Sequence, residues 1–249
     1  MRTQWMITLA LLGAIGALAS TNARAMRVTP IELEMRSTGS GSRGAISVTN
    51  NSSEPLPLEV SIRRFTQDED GNRKMSEAGE SEFLVLPPQA LLAPGATQVF
   101  RVQWVGEPVL EASQSFILYF TQVPVKLPPG RGATVQVIVS LGCIVNVAPP
   151  QGLPDLKVAA AGIEVDKDGR RHPFVTVENP TSVHALLSQA QLRLTGSGWS
   201  MQMTSGELSE KIGIGLVEPR RRRRFKFPVE LPGSVTSIWA AIEFKPAHH

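Results

Sequence analysis

Few side chains of this sequence have the types and spacing that enzyme chemistry requires. Cys143 is the only cysteine; without a nearby His or Cys, and within an apolar alternation, it is better interpreted as a small buried hydrophobic residue than as a reactive thiol. His172 and His184 have no metal-like spacing. Three acids share one predicted strand face: Glu164, Asp166 and Asp168. They indicate a solvated hairpin, because a calcium site needs more oxygen ligands. We predict no catalytic site, no metal and no cofactor.

An alternating apolar row between residues 134 and 147 is the most informative feature of the chain. Successive side chains of a strand point to opposite faces, so this row lies on one face. Its members are Val135, Val137, Val139, Leu141, Cys143, Val145 and Val147. The segment is much longer than the usual strand of about 5–6 residues. A strand of ordinary length would therefore leave part of the row without a partner in its own domain.

Two interpretations of this row remain open at this point. In the first, the whole row faces the core of its own domain, as any half-buried strand does. In the second, the first half extends from a mobile loop and presents Val135, Val137, Val139 and Leu141 to another protein. Proteins normally suppress exposed apolar edges, so one that is retained is typical of strand addition to a partner.

The remainder of the chain predicts β-strands rather than helices. Short apolar runs rich in Val, Leu and Ile are separated by Gly, Pro, Asn and Ser, which is typical of β-sandwiches. Three prolines and a glycine in residues 149–154 cannot continue a central strand and mark a linker. We therefore expect an all-β protein with one domain over residues 26–148 and a second over residues 155–249.

The N-terminus has the pattern of a cleaved export signal. A short basic region precedes an apolar run, and Ala23 and Ala25 form the small-x-small pattern that signal peptidase reads. Cleavage after Ala25 removes Arg2 and Arg24 and lowers the formal net charge from +3 to +1. We expect a periplasmic protein without membrane insertion, whose near-neutral mature chain gives no electrostatic case for binding nucleic acid.

Motifs in both halves resemble those of the PapD-like periplasmic pilus-assembly chaperones, nearer the Csu-type (archaic) branch. The matching motifs are Val28-Thr29-Pro30-Ile31, Val48-Thr49-Asn50, Leu86-Pro87-Pro88, Ala93-Pro94-Gly95, Val123-Pro124-Val125, Val177-Glu178-Asn179-Pro180-Thr181 and Val217-Glu218-Pro219. Their order and spacing, more than any single motif, carry the resemblance.

The resemblance implies a fold, a mechanism and partners. It implies two immunoglobulin-like β-sandwich domains in an L-shaped arrangement. It implies that the seventh strand of the first domain completes the sheet of a pilin subunit without ATP, with Val135, Val137, Val139 and Leu141 as the donor residues. The implied partners are pilin subunits and the outer-membrane usher. The apolar edge also suggests self-association of the free protein.

One position departs from the family pattern. Typical members have an Arg on the first strand and a Lys on the seventh, which grip the C-terminal carboxylate of the subunit. Here Glu32 stands at the expected Arg, and residues 134–148 contain no Lys or Arg. The candidates for a replacement anchor are Arg27, Arg36, Lys126 and Arg131.

Five consecutive arginines at 220–224 have two interpretations. They could bind an anionic partner, or they could form a solvated loop leading into an edge strand that the charges protect from pairing. For the whole chain, the alternative to a chaperone is a secreted two-domain β-sandwich protein for adhesion or envelope interaction. A secreted hydrolase is the least favoured function, because no catalytic constellation is present.

Overall fold

A computed structural model describes residues 26–76, 79–124 and 137–246. The predicted signal segment, Lys126, Arg131 and Val135 lie outside the described residues. Ten strands precede the linker: β1 (Met26–Thr29), β2 (Glu32–Arg36), β3 (Arg43–Asn50), β4 (Leu56–Gln67), β5 (Arg73–Ser76), β6 (Phe83–Leu86), β7 (Gln89–Leu92), β8 (Thr97–Trp104), β9 (Gln114–Gln122) and β10 (Ser140–Ala148). Two sheets result, with strand orders β1-β3-β8-β6 and β2-β10-β9-β4-β5, and β7 also pairs with β4.

Eight strands and one helix follow the linker: β11 (Lys157–Val165), β12 (Arg171–Glu178), β13 (Ala185–Leu186), β14 (Ala190–Gly196), β15 (Trp199–Met203), α1 (Ser205–Ile212), β16 (Leu216–Val217), β17 (Arg222–Lys226) and β18 (Ile238–Phe244). They form sheets β11-β12-β17 and β15-β14-β18 and a ribbon of β13 with β16. No helix of the described residues is long and apolar enough to span a membrane.

Each half of the chain has its own hydrophobic core. In the first half, period-two alternation turns residues such as Ile46, Phe100 and Val145 inward. Phe100 meets Phe120 edge to face, with ring centroids 4.9 Å apart, which is a favoured aromatic geometry. The second core is built around Leu192 and neighbouring strands. The predicted all-β fold of two sandwiches is confirmed.

A buried asparagine closes an equivalent turn in each core. The Asn50 side-chain amide donates to the Glu54, Leu92 and Ala93 carbonyl oxygens at 2.8, 3.0 and 3.2 Å. Asn179 does the same for the Val183 and Val217 carbonyl oxygens, at 2.8 and 3.1 Å. Each fully buried side-chain amide thus has backbone acceptors for its donors, and a buried donor without an acceptor would destabilise the fold.

A third apolar cluster joins the two halves. Phe65 and Ile117 of the first domain pack with Leu186 and Leu216 of the second. Ile117 lies on β9 and directly opposite Ile144 of β10. The second domain thus covers one face of the sheet that contains β10.

Candidate functional site

The β10 strand has two neighbours that differ in length. It pairs antiparallel with β9 over its whole described course, from Ser140 opposite Thr121 to Val147 opposite Gln114. On its other side, the parallel pairing with β2 begins only at Ile144, which faces Glu32. Within the described parts of the chain, no strand pairs with this side of residues 140–143. We call these four residues the open edge.

Along the apolar row, exposure increases towards the start of the strand. Cys143, Val145 and Val147 are fully buried. Leu141 and Val139 are half-buried and pack against the margin of the first core. Val137 is 71% exposed. Within the described residues, the row therefore passes from a buried half to an exposed start.

Cys143 lies in the buried half. Burial, followed by the charge of Glu32, raises the pKa of its thiol to about 12. A thiol with such a pKa is protonated at neutral pH and unreactive as a nucleophile.

The proposed anchor residues within the described part of the chain lie apart from the open edge. Arg27 is exposed on β1, opposite Thr49, in the other sheet of the first domain. Arg36 is at the far end of β2, where its Nη1 donates to the Pro149 carbonyl oxygen at 3.0 Å. Neither is next to residues 140–143.

Another cation lies on the same sheet as the open edge. Residues paired across a sheet share a face, and the register places Arg63, Ile117, Ile144 and Glu32 in one row. The second domain partly covers this side of the sheet. Arg63 is exposed, and no ion pair to it is present among the described residues. The sequence did not single out Arg63, because its position depends on strand register.

Two acidic residues of β2, Glu32 and Glu34, lie next to the point where the open edge ends. Asn146 Nδ2 donates to Glu34 Oε1 at 2.8 Å, and His184 Nε2 lies 2.5 Å from Glu34 Oε2. Burial would raise the pKa of Glu34, but the charge and hydrogen bond of His184, with the Asn146 hydrogen bond, lower it. Burial and the neighbouring Glu34 raise the pKa of Glu32 to about 8. The raised pKa favours the protonated form of Glu32 at pH 7.

Part of the arginine run contacts the first domain. Arg223 Nη1 donates to the Gln67 side chain at 3.2 Å and to the Leu216 carbonyl oxygen at 2.6 Å. The backbone amide of Gln67 donates to Glu218 Oε2 at 2.7 Å. Arg222 pairs with Glu178 at 2.9 Å. Arg222 and Arg223 therefore already have partners within this chain.

In the acidic hairpin of the second domain, Asp166 forms hydrogen bonds within the hairpin itself. Asp166 accepts hydrogen bonds from the backbone amides of Asp168 and Arg170, both at 2.9 Å, and from the Arg170 side chain at 3.0 Å. No group of three possible metal ligands occurs among the residues that the structure describes.

Residues 27–151, which contain the open edge and both of its neighbouring strands, match a family model described as pili and flagellar-assembly chaperone, PapD N-terminal domain. The chain belongs to this family. Its predicted recognition as a PapD-like pilus-assembly chaperone is confirmed. A search of curated proteins finds no significant match.

Solved structures of fimbrial chaperones share the fold. The YadV chaperone has a TM-score of 0.53 and 14% identity, covering 88% of this chain and 92% of its own. The class 5 fimbriae chaperone CfaA has a TM-score of 0.51 and 11% identity, covering 90% and 94%. The Salmonella enterica SafA pilin–SafB chaperone complex has a TM-score of 0.51 and 14% identity, covering 88% and 96%. At these identities the likeness shows the fold, and the Csu-type branch remains a prediction.

Proposed function

We propose that this protein is a periplasmic chaperone that binds pilin subunits by donor-strand complementation and delivers them to an outer-membrane usher. The observation that carries the proposal is the apolar row that leaves its own core at the open edge. A subunit with an incomplete sheet would pair with residues 140–143 and cover Leu141, Val139, Val137 and Val135. Export with cleavage after Ala25 would bring the chain to that subunit.

The energetics of the row fit such a partner. Full burial of one Val or Leu side chain stabilises by roughly 1.5–3 kcal/mol. Val137 has most of that gain still available, because it is 71% exposed, while Cys143 and Val145 have none left. Main-chain hydrogen bonds along the open edge add affinity and fix the register of the added strand. Binding needs no covalent step.

The proposal is tested by co-expressing the full chain with a pilin subunit from the same organism and purifying the complex. Val137→Asp places a charge on the edge that the subunit would bury, so the complex should be lost while the circular dichroism spectrum is unchanged. Val109→Asp is the matched control, since Val109 is 77% exposed and lies in the loop before β9. The control should leave binding unchanged.

The result also separates the two sequence-based functions. A protein for adhesion or envelope interaction has no need of an open edge, so the two variants would behave alike. Undiminished subunit binding by Val137→Asp would overturn the donor-strand role.

A further inference from the structure

A short segment of the second domain is tied to the first by three hydrogen bonds. The Ser113 amide donates to the Ser182 carbonyl oxygen at 2.9 Å. The His184 amide donates to Ser113 Oγ at 3.0 Å. The His184 side chain, which is 3% exposed, reaches Glu34 on β2 at 2.5 Å. His184 is thus bonded to the first domain through both its backbone amide and its imidazole Nε2.

Glu34 bonds both to His184 and to Asn146 on the neighbouring strand β10. Register places Glu34, Asn146 and Ser115 in one row across β2, β10 and β9. Asn146 Nδ2 donates to Glu34, and Ser115 Oγ donates to Asn146 Oδ1, both at 2.8 Å. This row lies two residues beyond the point where β2 begins to pair with β10 and where the open edge stops. β2 is only five residues long, so the polar row adds to the few contacts that hold it, which are the backbone pairing with β10 and the buried side chain of Met35.

We propose that His184 is a positioning residue for partner binding, which holds β2 through Glu34 and so fixes the inner end of the open edge. This inference rests on the proposed function and names a residue of the second domain that acts on the strand added to the subunit. The partner strand would run in line with β2 and meet it at Glu32. Movement of β2 would therefore alter the register and length of the edge that is offered.

Glu32 gives the arrangement its dependence on pH. Its neutral form donates to the Glu34 carboxylate, and burial with the Glu34 charge raises its pKa to about 8. The other titratable groups near it are Cys143 on the neighbouring strand β10 and His184, which contacts Glu34. Above pH 8 Glu32 and Glu34 are both charged and repel each other. Because the pKa of Glu32 is raised, its stabilising effect is complete at low pH and is lost as pH rises through about 8.

The test measures subunit affinity of the full chain between pH 6 and 9.5. The wild type should lose affinity above pH 8. Glu32→Gln keeps a hydrogen-bond donor towards Glu34 but cannot ionise, so its affinity should stay level across this range. His184→Ala should bind about tenfold more weakly at every pH, within the usual range of coupling between sites, and His184→Gln, whose amide can donate to Glu34, should recover most of the loss.

His172→Ala is the control, because His172 is a second-domain histidine bonded to Asp166 and Val229, away from the interface. An alkaline loss of affinity that persists in Glu32→Gln would overturn the inference. So would equal affinities of His184→Ala and His172→Ala. If His184→Ala does not fold, Glu32→Gln and His184→Gln still decide the question.

Amide hydrogen exchange separates this inference from the proposed function, since it needs no subunit. The Ile144 amide donates to the Ile31 carbonyl oxygen and the Ser37 amide to the Ala148 carbonyl oxygen, both at 2.9 Å, so they report on the two ends of β2. Both amides should exchange faster in His184→Ala than in His172→Ala. If exchange in His184→Ala is faster as expected but the protein binds no subunit, the proposed function alone is refuted. If exchange is the same in His184→Ala and His172→Ala, the positioning role of His184 is refuted.

Discussion

The same substitution at two positions of the apolar row should change two different quantities, the stability of the fold at one position and the affinity for the subunit at the other. Val137 is 71% exposed and Val145 is 1% exposed, yet both belong to one alternating series. Val→Ala removes two methyl groups at either position. If the row divides into a core half and a binding half, Val145→Ala should act on folding and Val137→Ala on subunit affinity.

The magnitudes follow from burial. Each buried methylene-sized group is worth about 0.8 kcal/mol, so the two groups of Val145 contribute about 1.6 kcal/mol. The cavity that remains raises the cost of Val145→Ala to about 2–3 kcal/mol of unfolding free energy. At Val137 only the 71% that is exposed remains for the subunit to bury, which gives about 1.1 kcal/mol, or about a sixfold weaker Kd. Its effect on stability should stay within about 0.5 kcal/mol.

Urea unfolding of the free chain and titration with a purified pilin subunit measure the two quantities. Val145→Ala should lower the unfolding midpoint and leave the affinity of the folded fraction within about twofold, which is about 0.4 kcal/mol. The reasoning is refuted if Val137→Ala lowers the unfolding free energy as much as Val145→Ala does, with no change in affinity. Such a result would mean that Val137 is buried in its own domain.

Three further expectations concern stability, reactivity and the domain interface. Asn50→Ala and Asn179→Ala each remove two or more hydrogen bonds to backbone carbonyl oxygens, including those of Leu92 and Val217, and should cost about 2–4 kcal/mol in urea unfolding. A loss below about 1 kcal/mol would contradict the role of these turns. Cys143 should resist a maleimide reagent at pH 8 in the folded protein and react fully in urea, and rapid labelling of the native chain would count against its burial. Arg223→Ala should broaden the distribution of domain orientations in small-angle scattering. Arg222→Ala is the control and should not, because its exposed ion pair with Glu178 contributes little to stability. Identical scattering from both variants would show that Arg223 does not hold the domains together.

The strands were predictable because their pattern is local. Alternation of apolar and polar side chains, broken by Gly, Pro and Asn, depends only on neighbouring residues. The helix α1 was not predicted, although its signal is present: Thr204 and Glu207 form a capping box in which each side chain bonds to the other residue's backbone amide. Only Leu208 of this eight-residue helix is buried. An apolar face that small gives no helical periodicity to find.

The polar network was not predictable, because it joins distant parts of the chain. His184 and Glu34 are 150 positions apart in sequence. The residue type of Asn146 gives no sign that it bonds to Glu34, which is 112 positions away in sequence. The charge state of Glu32 also changed in the structure, since a pKa of about 8 follows from burial beside Glu34 and not from residue type.

By itself the sequence determined the two-sandwich fold, the family resemblance and the face on which the apolar row lies. It could not determine where that row stops being core. Strand alternation is a property of the extended backbone alone, so it is identical for buried and exposed halves. Exposure depends on what packs against the strand, and only the tertiary structure shows that β2 first pairs with β10 at Ile144, so that residues 140–143 have no partner strand on this side within the described part of the chain.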